Sequence, residues 1–283
     1  MIEFKSKSEI EALKKPNEVV AAVLDEMKHF VKPGVTTLQI DRRAEEIIRS
    51  YGATPSFKGY GYPPFPGSVC ASVNDAVVHG VPSADTVLQE GDIIGIDVGA
   101  CVDGWMGDAA RTYAVGEVSE SAKRLTKATE AGFWAGFLKA RIGNRLGDIC
   151  AAIQSVAEKE GLGIVRELTG HGIGRQMHME PNVPNYGRPG RGLALKAGLV
   201  IAVEPMFNAG TDAIRLADDE WTILTADGAL SAHYENSYAI TEDGPVILSR
   251  TQDLANPKAW LERAQSLSEY LPEEIKALLP KDA

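Results

Sequence analysis

The segment between residues 91 and 116 constrains the fold of this chain more than any other. It holds two strand-like runs, GDIIGIDVGA and WMGDAARTYAVG, separated by Val102-Asp103-Gly104. Apolar runs on both sides of a short glycine-containing turn are typical of a β-hairpin. Each arm carries one aspartate, Asp97 or Asp108, and Asp97 is flanked by apolar residues. The sequence therefore predicts a hairpin that presents two carboxylates.

The length of the hairpin loop decides how the two aspartates face each other. A four-residue loop would place Asp97 directly opposite Asp108. A two-residue turn at Asp103-Gly104 would instead pair Asp97 with residue 110 and leave Asp108 diagonal to it. Both registers put the carboxylates on one face of the sheet, whereas a three-residue loop would separate them. Because two buried carboxylates without a partner are costly, a bound cation explains them better than a solvated hairpin does.

Three further residues could complete a metal site. Glu204 directly follows the apolar run 199–203, where a charged side chain would not be hydrated. Glu235 lies in another strand-like segment. His171 lies among glycines in LTGHGIGRQMH, and these allow close approach of the backbone. A lone loop histidine is more often a surface residue, and buried aspartates are often structural, so the residues alone leave both readings open. Together, one imidazole and four carboxylates would balance two divalent cations and suit Mn, Fe, Co or Zn.

The chain is organised as two similar halves. Helices are predicted from Ser6, with a kink or break at Pro16, and from Leu38 to Tyr51, and again over 119–141 and 146–159. The first half repeats in the second at a constant offset, as Gly34, Ile40, Gly52 and then Gly143, Ile149, Gly161. This pattern indicates an internal repeat.

Mixed runs of helices and strands predict an α+β fold. The segments GLVIAVEPMF and SAHYENSYAIT are strand-like, and we expect them to join the hairpin in one antiparallel sheet. From Asn256-Pro257 onward the chain is predicted to form an amphipathic helix that packs on the outside.

Composition narrows the class of function. The 283 residues are 44% hydrophobic and carry a net charge of −10, without a run of like charges that would indicate specific nucleic-acid binding. The odd number of cysteines, Cys70, Cys101 and Cys150, and the lack of CxxC spacing predict a reducing, cytoplasmic setting. No apolar stretch has the length of a signal peptide or a membrane span.

Five motifs, VVHG, IDVGACVDGWMGD, GHGIG, IAVEPM and YEN, occur in the order and spacing of the methionine aminopeptidases. Over residues 5–250 the chain resembles the bacterial type I enzymes. The resemblance implies the pita-bread fold, in which a pseudo-twofold axis relates two halves that each place helices on a curved antiparallel sheet. We therefore expect a metallopeptidase domain of residues 1–250. The amphipathic tail, residues 251–283, is expected to be helical and to pack on that domain.

The same resemblance implies the activity and the metal ligands. A water activated by two metal ions would release the N-terminal methionine of peptides and nascent proteins, with a small second residue favoured. Asp97 would bind one metal in bidentate fashion, and His171 and Glu204 would bind the other. Asp108 and Glu235 would bridge the two.

Further roles are implied for residues that would contact the substrate. His79 would lie near the scissile amide and the substrate N-terminus, His178 would hydrogen-bond the carbonyl and the developing oxyanion, and Glu204 would carry a proton to the leaving amine. Without the resemblance, both histidines would be read as structural. The methionine pocket would be drawn from six residues, any of which could also be core: Tyr62, Phe65, Cys70, Met177, Phe207 and Trp221.

The chain departs from the family pattern at positions around the ligands. Gly59, Gly99, Met106 and Asn236 stand where cysteine, threonine, histidine and histidine are usual, which affects how the ligands are oriented. Two alternatives remain open: an Xaa-Pro peptidase of the same fold, and a binding protein without catalysis. For partners we expect peptide N-termini, transient contact with the ribosome, no membrane, and a monomer.

Overall fold

A computed structural model describes residues 1–256 and 258–280. The helices are α1 (Lys7–Phe30), α2 (Thr37–Ser50), α3 (Glu120–Lys139), α4 (Leu146–Glu160), α5 (Ala259–Ser266) and α6 (Glu273–Lys276), with a short 3-10 helix at Gln252–Leu254. The strands are β1 (Thr54–Pro55), β2 (Val69–Val73), β3 (Ala76–Val78), β4 (Ile93–Val102), β5 (Trp105–Ala114), β6 (Gly163–Ile164), β7 (Thr169–Gly172), β8 (Met179–Pro184), β9 (Val200–Val203), β10 (Met206–Asn208), β11 (Ile214–Leu216), β12 (Ile223–Thr225), β13 (Ser231–His233), β14 (Asn236–Thr241) and β15 (Gly244–Ile247). Within these residues, no helix combines the length and apolarity needed to cross a bilayer.

The β4–β5 hairpin closes with a two-residue turn at Asp103 and Gly104. Both residues have positive φ, 53° and 77°, as a type I′ turn requires. In the resulting register Asp97 pairs with Ala110, and Asp108 pairs with Gly99. The structure therefore adopts the diagonal arrangement, one of the two that bring both carboxylates to the same face of the sheet.

The later strands do not join the hairpin, and the expectation of one common sheet is wrong. β9 and β14 pair with each other in a sheet of order β15-β14-β9-β7-β8, whereas β4 and β5 belong to a sheet with β1 and β2. The chain leaves the β9 direction at Glu204-Pro205, because proline cannot donate to the ladder. Beyond that point, β10 pairs with β13 and β6. Glu204, between β9 and β10, and Glu235, between β13 and β14, thus lie where the chain passes from one sheet to another.

Each half of the molecule packs two helices on its strands. In both halves a glycine in the left-handed region follows the second helix, Gly52 with φ 71° and Gly161 with φ 65°, and a short strand comes next. The first core is formed by α1, α2 and the hairpin sheet, with Val20, Leu24, Ile40, Ile94 and Ile96 among its residues. The second core is formed by α3, α4 and the five-stranded sheet, with Phe133, Phe137, Ile153, Ile201 and Tyr238 among its residues. This arrangement confirms the predicted α+β class and internal repeat.

Helix α1 continues through Pro16, so the predicted break is absent and one helix spans Lys7–Phe30. The side chain of Asn17 donates to the carbonyl of Leu13 at 2.8 Å, which satisfies a carbonyl in the turn that proline disturbs. Gly107 on β5 allows the helix backbone to pack directly on the sheet, since a Cβ there would lie 2.6 Å from the carbonyl carbon of Pro16.

The C-terminal segment packs on the second core. Its buried side chains are Leu261, Ala264, Leu267, Leu271 and Ile275. Arg263 holds Glu130 of α3 through two hydrogen bonds of 2.6 and 2.5 Å. Helix α5 begins at Ala259. Of the predicted Asn256-Pro257 start, Pro257 lies outside the described residues.

Candidate metal centre and active site

A cavity of about 110 Å³ lies where the two halves meet. Carboxylates, histidines and aromatic rings line it together: Phe57, Tyr60, Phe65, Cys70, His79, Asp97, Asp108, His171, His178, Glu204, Trp221 and Glu235. All five residues that the sequence suggests as metal ligands are present. They come from both halves, because Asp97 and Asp108 lie on the hairpin and the other three lie after residue 168.

The predicted ligands converge closely. Nε2 of His171 lies 3.5 Å from Oδ2 of Asp108 and 3.6 Å from Oε1 of Glu204. One ligand atom from each of Asp108, His171 and Glu235 lies within 4.8 Å of the others. This spacing is that of a set of donors around a single ion. Asp97 reaches the same group from β4.

The peptide backbone carries Glu235 into this group. Its N–H donates to the carbonyl of Ala110 on the hairpin at 2.9 Å. Arg111 donates to the carbonyl of Glu235 at 2.5 Å and to Oδ1 of Asn236 at 2.8 Å. The guanidinium is therefore engaged by neutral acceptors, and the carboxylate of Glu235 remains without a paired cation among the described residues. Asn236, a departure from the family pattern, helps to hold this arginine in place.

The negative charge of the four carboxylates in this cluster has to be balanced by protons or by bound cations. Burial, followed by repulsion from neighbouring carboxylates, raises the pKa of Asp97, Glu204 and Glu235 well above their usual values. Burial raises the pKa of Asp108 to about 8. Three carboxylate oxygens, Oδ1 of Asp97, Oδ1 of Asp108 and Oε1 of Glu235, have no hydrogen-bond partner among the described residues. Oxygen donors that are buried and unpaired in this way fit divalent cations.

His171 has the tautomer of a metal ligand. Its Nδ1 lies 3.0 Å from the carbonyl of Gly172, which can only accept, so Nδ1 donates and Nε2 keeps its lone pair. Nε2 is the nitrogen that faces the carboxylates. Burial lowers the pKa of His171, which keeps the imidazole neutral and able to bind a metal.

The other two predicted histidines lie beside this cluster. The ring of His178 is 4.4 Å from that of His171, and its Nδ1 lies 2.7 Å from the hydroxyl of Tyr60. His79 has positive φ, 58°, and its ring is 6.1 Å from that of Trp221. Burial, together with a neighbouring histidine, lowers the pKa of each to about 4. Both imidazoles are therefore neutral at pH 7.

Of the six residues suggested for the methionine pocket, the structure brings Phe65, Cys70 and Trp221 to the cavity wall. The rings of Phe65 and Trp221 meet edge to face at 5.2 Å. Tyr62 is 97% exposed and does not line the cavity. Phe207 lies in the second core, against Gly132 of α3. Met177 is buried next to Gly99 and Phe57 rather than on the cavity surface.

Sequence reasoning missed three residues of this site. Phe57 and Tyr60 line the cavity from the loop FKGYGYPPF, where several aromatic residues between glycines and prolines were a usable signal. His233 approaches two ligands, with Nε2 3.9 Å from Oε2 of Glu204 and 4.0 Å from Oε2 of Glu235. Its position two residues before Glu235, which puts both on one side of an extended chain, was the signal for it.

Comparison with known proteins assigns the class. Residues 11–242 match the model of metallopeptidase family M24. A methionine aminopeptidase of Clostridium acetobutylicum is 51% identical over 249 residues, covering 88% of this chain and 99% of that protein. Methionine aminopeptidase 1 of Bacillus subtilis is 44% identical over 250 residues, covering 88% of this chain and 100% of that protein.

Solved structures agree with this result. The methionine aminopeptidase of Rickettsia prowazekii superposes with a TM-score of 0.85 at 41% identity, covering 88% of this chain and 100% of that one. A prolidase of Pyrococcus furiosus, at a TM-score of 0.71 and 22% identity, covers 88% of this chain and 66% of that one, and shows only that the fold is shared. The chain therefore belongs to the M24 metallopeptidases and has their pita-bread fold. Within that family it belongs with the methionine aminopeptidases.

Proposed function

We propose that this chain removes the N-terminal methionine from peptides and nascent proteins and favours a small second residue. One observation supports this most directly. A single small cavity combines five metal-binding side chains, two neutral histidines and an apolar wall. Metal-assisted removal of an N-terminal methionine can use all three, as ligands for the ions, contacts to the reacting groups and a wall for the apolar side chain. The relatives named methionine aminopeptidase, at 51% and 44% identity, favour this substrate over the Xaa-Pro peptides of the alternative.

Two divalent ions, from among Mn, Fe, Co and Zn, would be held by the buried ligands. Asp97 would serve one ion, His171 and Glu204 the other, and Asp108 and Glu235 both. When bound, such a pair supplies an activated water and neutralises charge that develops on the peptide carbonyl. The unpaired carboxylate oxygens and the tautomer of His171 support this assignment.

The histidines would handle the substrate. The Tyr60 hydroxyl lies 2.7 Å from Nδ1 of His178, and we assign the hydroxyl as the donor. Nε2 of that ring would then carry the proton and donate to the substrate carbonyl as negative charge builds on it. His79, whose ring lies near that of Trp221, would contact the scissile amide and the substrate N-terminus. Glu204 would carry a proton to the leaving amine.

The apolar wall would select the side chain. Phe65, Cys70 and Trp221, together with Phe57 and Tyr60, form the apolar side of the cavity. An apolar wall of this kind suits an unbranched side chain such as that of methionine. Methionine is also flexible and polarisable, so it packs well against aromatic rings.

The remaining proposals concern context. We infer that residues 1–250 form the catalytic domain and that the tail of residues 251–283 belongs to it, since the described tail residues bury side chains in the second core. The three cysteines are free, which supports a reducing, cytoplasmic setting. We also propose that the protein works as a monomer and meets the ribosome transiently.

A panel of peptides tests the proposed function. Protein loaded with Mn²⁺ or Co²⁺ should release free methionine from Met-Ala-Ser, more slowly from Met-Leu-Ser, and should leave Ala-Pro-Ser intact. Cleavage of Ala-Pro-Ser alone would instead identify an Xaa-Pro peptidase. Protein that binds no divalent ion and is inactive with each of Mn, Fe, Co and Zn would be a binding protein without catalysis.

A further inference from the structure

His233 is a buried histidine to which neither the ligand set nor the substrate contacts give a role. Its side chain is 3% exposed, and Nε2 has no hydrogen-bond partner among the described residues. A buried polar nitrogen without a partner is uncommon in a folded protein and calls for an explanation. The groups that it faces are Glu204 and Glu235.

The two carboxylate oxygens of Glu204 face two different imidazoles. Oε1 lies 3.6 Å from Nε2 of His171, and Oε2 lies 3.9 Å from Nε2 of His233. Since His171 presents a lone pair toward the cluster, Oε1 would lie on the side of an ion shared with His171. Oε2 is the oxygen nearer to His233, where it can accept a hydrogen bond. A neutral imidazole with its proton on Nε2 can donate that bond.

The backbone of His233 is fixed where this contact requires it. Its N–H donates to Oγ1 of Thr112 at 3.0 Å, and the same hydroxyl donates to its carbonyl at 2.8 Å. Strand β13 is also paired with β10, with His233 opposite Met206. The backbone that carries the ring is therefore fixed. A hydrogen bond requires the carboxylate of Glu204 to come about 1 Å closer to Nε2 than the 3.9 Å observed.

We propose that His233 is a positioning residue of the metal centre, which donates its Nε2–H to Oε2 of Glu204 and so directs Oε1 toward the ion shared with His171. The inference rests on the metal site of the proposed function. The carboxylate of Glu235, 4.0 Å away, is the second acceptor within reach. Groups that orient a metal ligand in this way typically change metal affinity by about 10- to 100-fold when they are removed.

Metal affinity tests this assignment without recourse to peptide hydrolysis. Protein stripped of metal is titrated with Mn²⁺ in a calorimeter, for the unaltered chain, His233→Ala, His233→Gln and the control His29→Ala, an exposed histidine at the end of α1. We expect about 10- to 100-fold weaker binding for His233→Ala. Because glutamine keeps an N–H donor, His233→Gln should lie between His233→Ala and the unaltered chain, and His29→Ala should not change.

Saturation with Co²⁺ separates a positioning residue from a ligand. The visible absorption of bound Co²⁺ reports its ligands, and all variants should give the same spectrum as the unaltered chain. A spectrum that shows the loss of a nitrogen ligand in both His233 variants would make His233 a ligand and overturn the proposal. Unchanged Mn²⁺ affinity in His233→Ala would also overturn it. If the unaltered chain binds Mn²⁺ but releases no methionine, the proposed function fails while the affinity comparison still decides the role of His233.

Discussion

Gly99 on β4 lies directly against the ring of Phe57. A Cβ at Gly99 would approach Cε1 of Phe57 to 2.6 Å and Cε of Met177 to 2.8 Å. Gly99 lies opposite Asp108. The absence of a side chain at this position makes room for the ring of Phe57, which lines the cavity, and for Met177. The ring of Phe57 therefore explains why this chain has glycine at position 99, where the family usually has threonine.

Restoring a side chain at this position should disturb the site. We expect Gly99→Thr to lower the free energy of unfolding by about 1–3 kcal/mol, the usual cost of overpacking, and to raise KM for Met-Ala-Ser. The companion change Phe57→Leu in the same chain should recover part of both losses, because it removes ring atoms from the contact. Urea unfolding and steady-state kinetics measure the two effects. Equal stability of Gly99→Thr and the unaltered chain would show that the loop of Phe57 simply moves aside.

Removal of the His79 imidazole should affect turnover and leave the metal in place. We expect His79→Ala to lower kcat by about 10²- to 10⁴-fold, the typical contribution of a positioned acid or base. Metal per protein, measured by atomic emission, should be unchanged, since the proposed role of His79 is to contact the substrate and not the metal. Because φ at His79 is 58°, His79→Asn is a useful second variant that tolerates this backbone conformation. Loss of metal in both variants would make His79 a ligand.

The contact between Tyr60 and His178 can be tested with two substitutions in the same loop, one at Tyr60 and a control at Tyr62. Tyr60→Phe removes the hydroxyl that lies 2.7 Å from Nδ1 of His178. We expect kcat to fall by about 2- to 12-fold, which corresponds to the net 0.5–1.5 kcal/mol of a neutral hydrogen bond. Tyr62→Phe is the matched control, because Tyr62 is 97% exposed. An equal loss in both variants would mean that the loop, rather than the hydroxyl, matters.

Removal of metal should destabilise the protein more as pH rises. Without metal, the folded protein keeps protons on carboxyl groups whose pKa is raised, such as Asp108 at about 8, while the unfolded chain releases them near pH 4. The stability that these protons provide is complete below pH 4 and is lost as pH rises through the folded pKa.

Melting temperatures of stripped and Mn²⁺-loaded protein should therefore diverge between pH 7 and pH 9. In this range the buried histidines His79, His178 and His233 are already neutral in the folded protein, because their pKa is near 4 or below. They therefore do not add a change in stability of the opposite sign. Added Mn²⁺ replaces the protons, so the loaded protein is spared this loss of stability. A difference between the two melting temperatures that stays constant or narrows as pH rises would contradict this explanation by carboxyl protonation.

The tail should stabilise the fold without affecting chemistry. Arg263 meets the buried carboxylate of Glu130 with two hydrogen bonds, and Glu130 also accepts from Nε1 of Trp134 at 3.1 Å. We expect Arg263→Ala to lower the free energy of unfolding by about 1–3 kcal/mol, the cost of an unpaired buried charge beside a partly exposed partner, with kcat unchanged. Adding Glu130→Gln should then cost little more, since the pair is already broken. Independent losses in a double-mutant cycle would refute this coupling.

Local sequence determined much of this architecture. The turn residues Asp103 and Gly104 encode the hairpin, because they tolerate positive φ, and their register places Asp97 and Asp108 on one face. The glycines that follow each helix pair encode the internal repeat, because each supplies the left-handed turn that ends the pair. The predicted start of the first helix at Ser6 is confirmed, because the Ser6 side chain accepts from the N–H of Glu9 within one turn of the chain. These features depend on neighbours a few residues apart.

The convergence of the predicted ligands was decided by the tertiary structure. His171 on β7, Glu204 after β9 and Glu235 after β13 reach the hairpin from separate segments. The sequence connected them only through resemblance to a family. The same limit explains the pocket, where Phe57 and Tyr60 line the cavity while Tyr62 faces solvent and Phe207 fills the second core. Periodicity predicts which residues are apolar, whereas packing of the two halves decides which of them face one another.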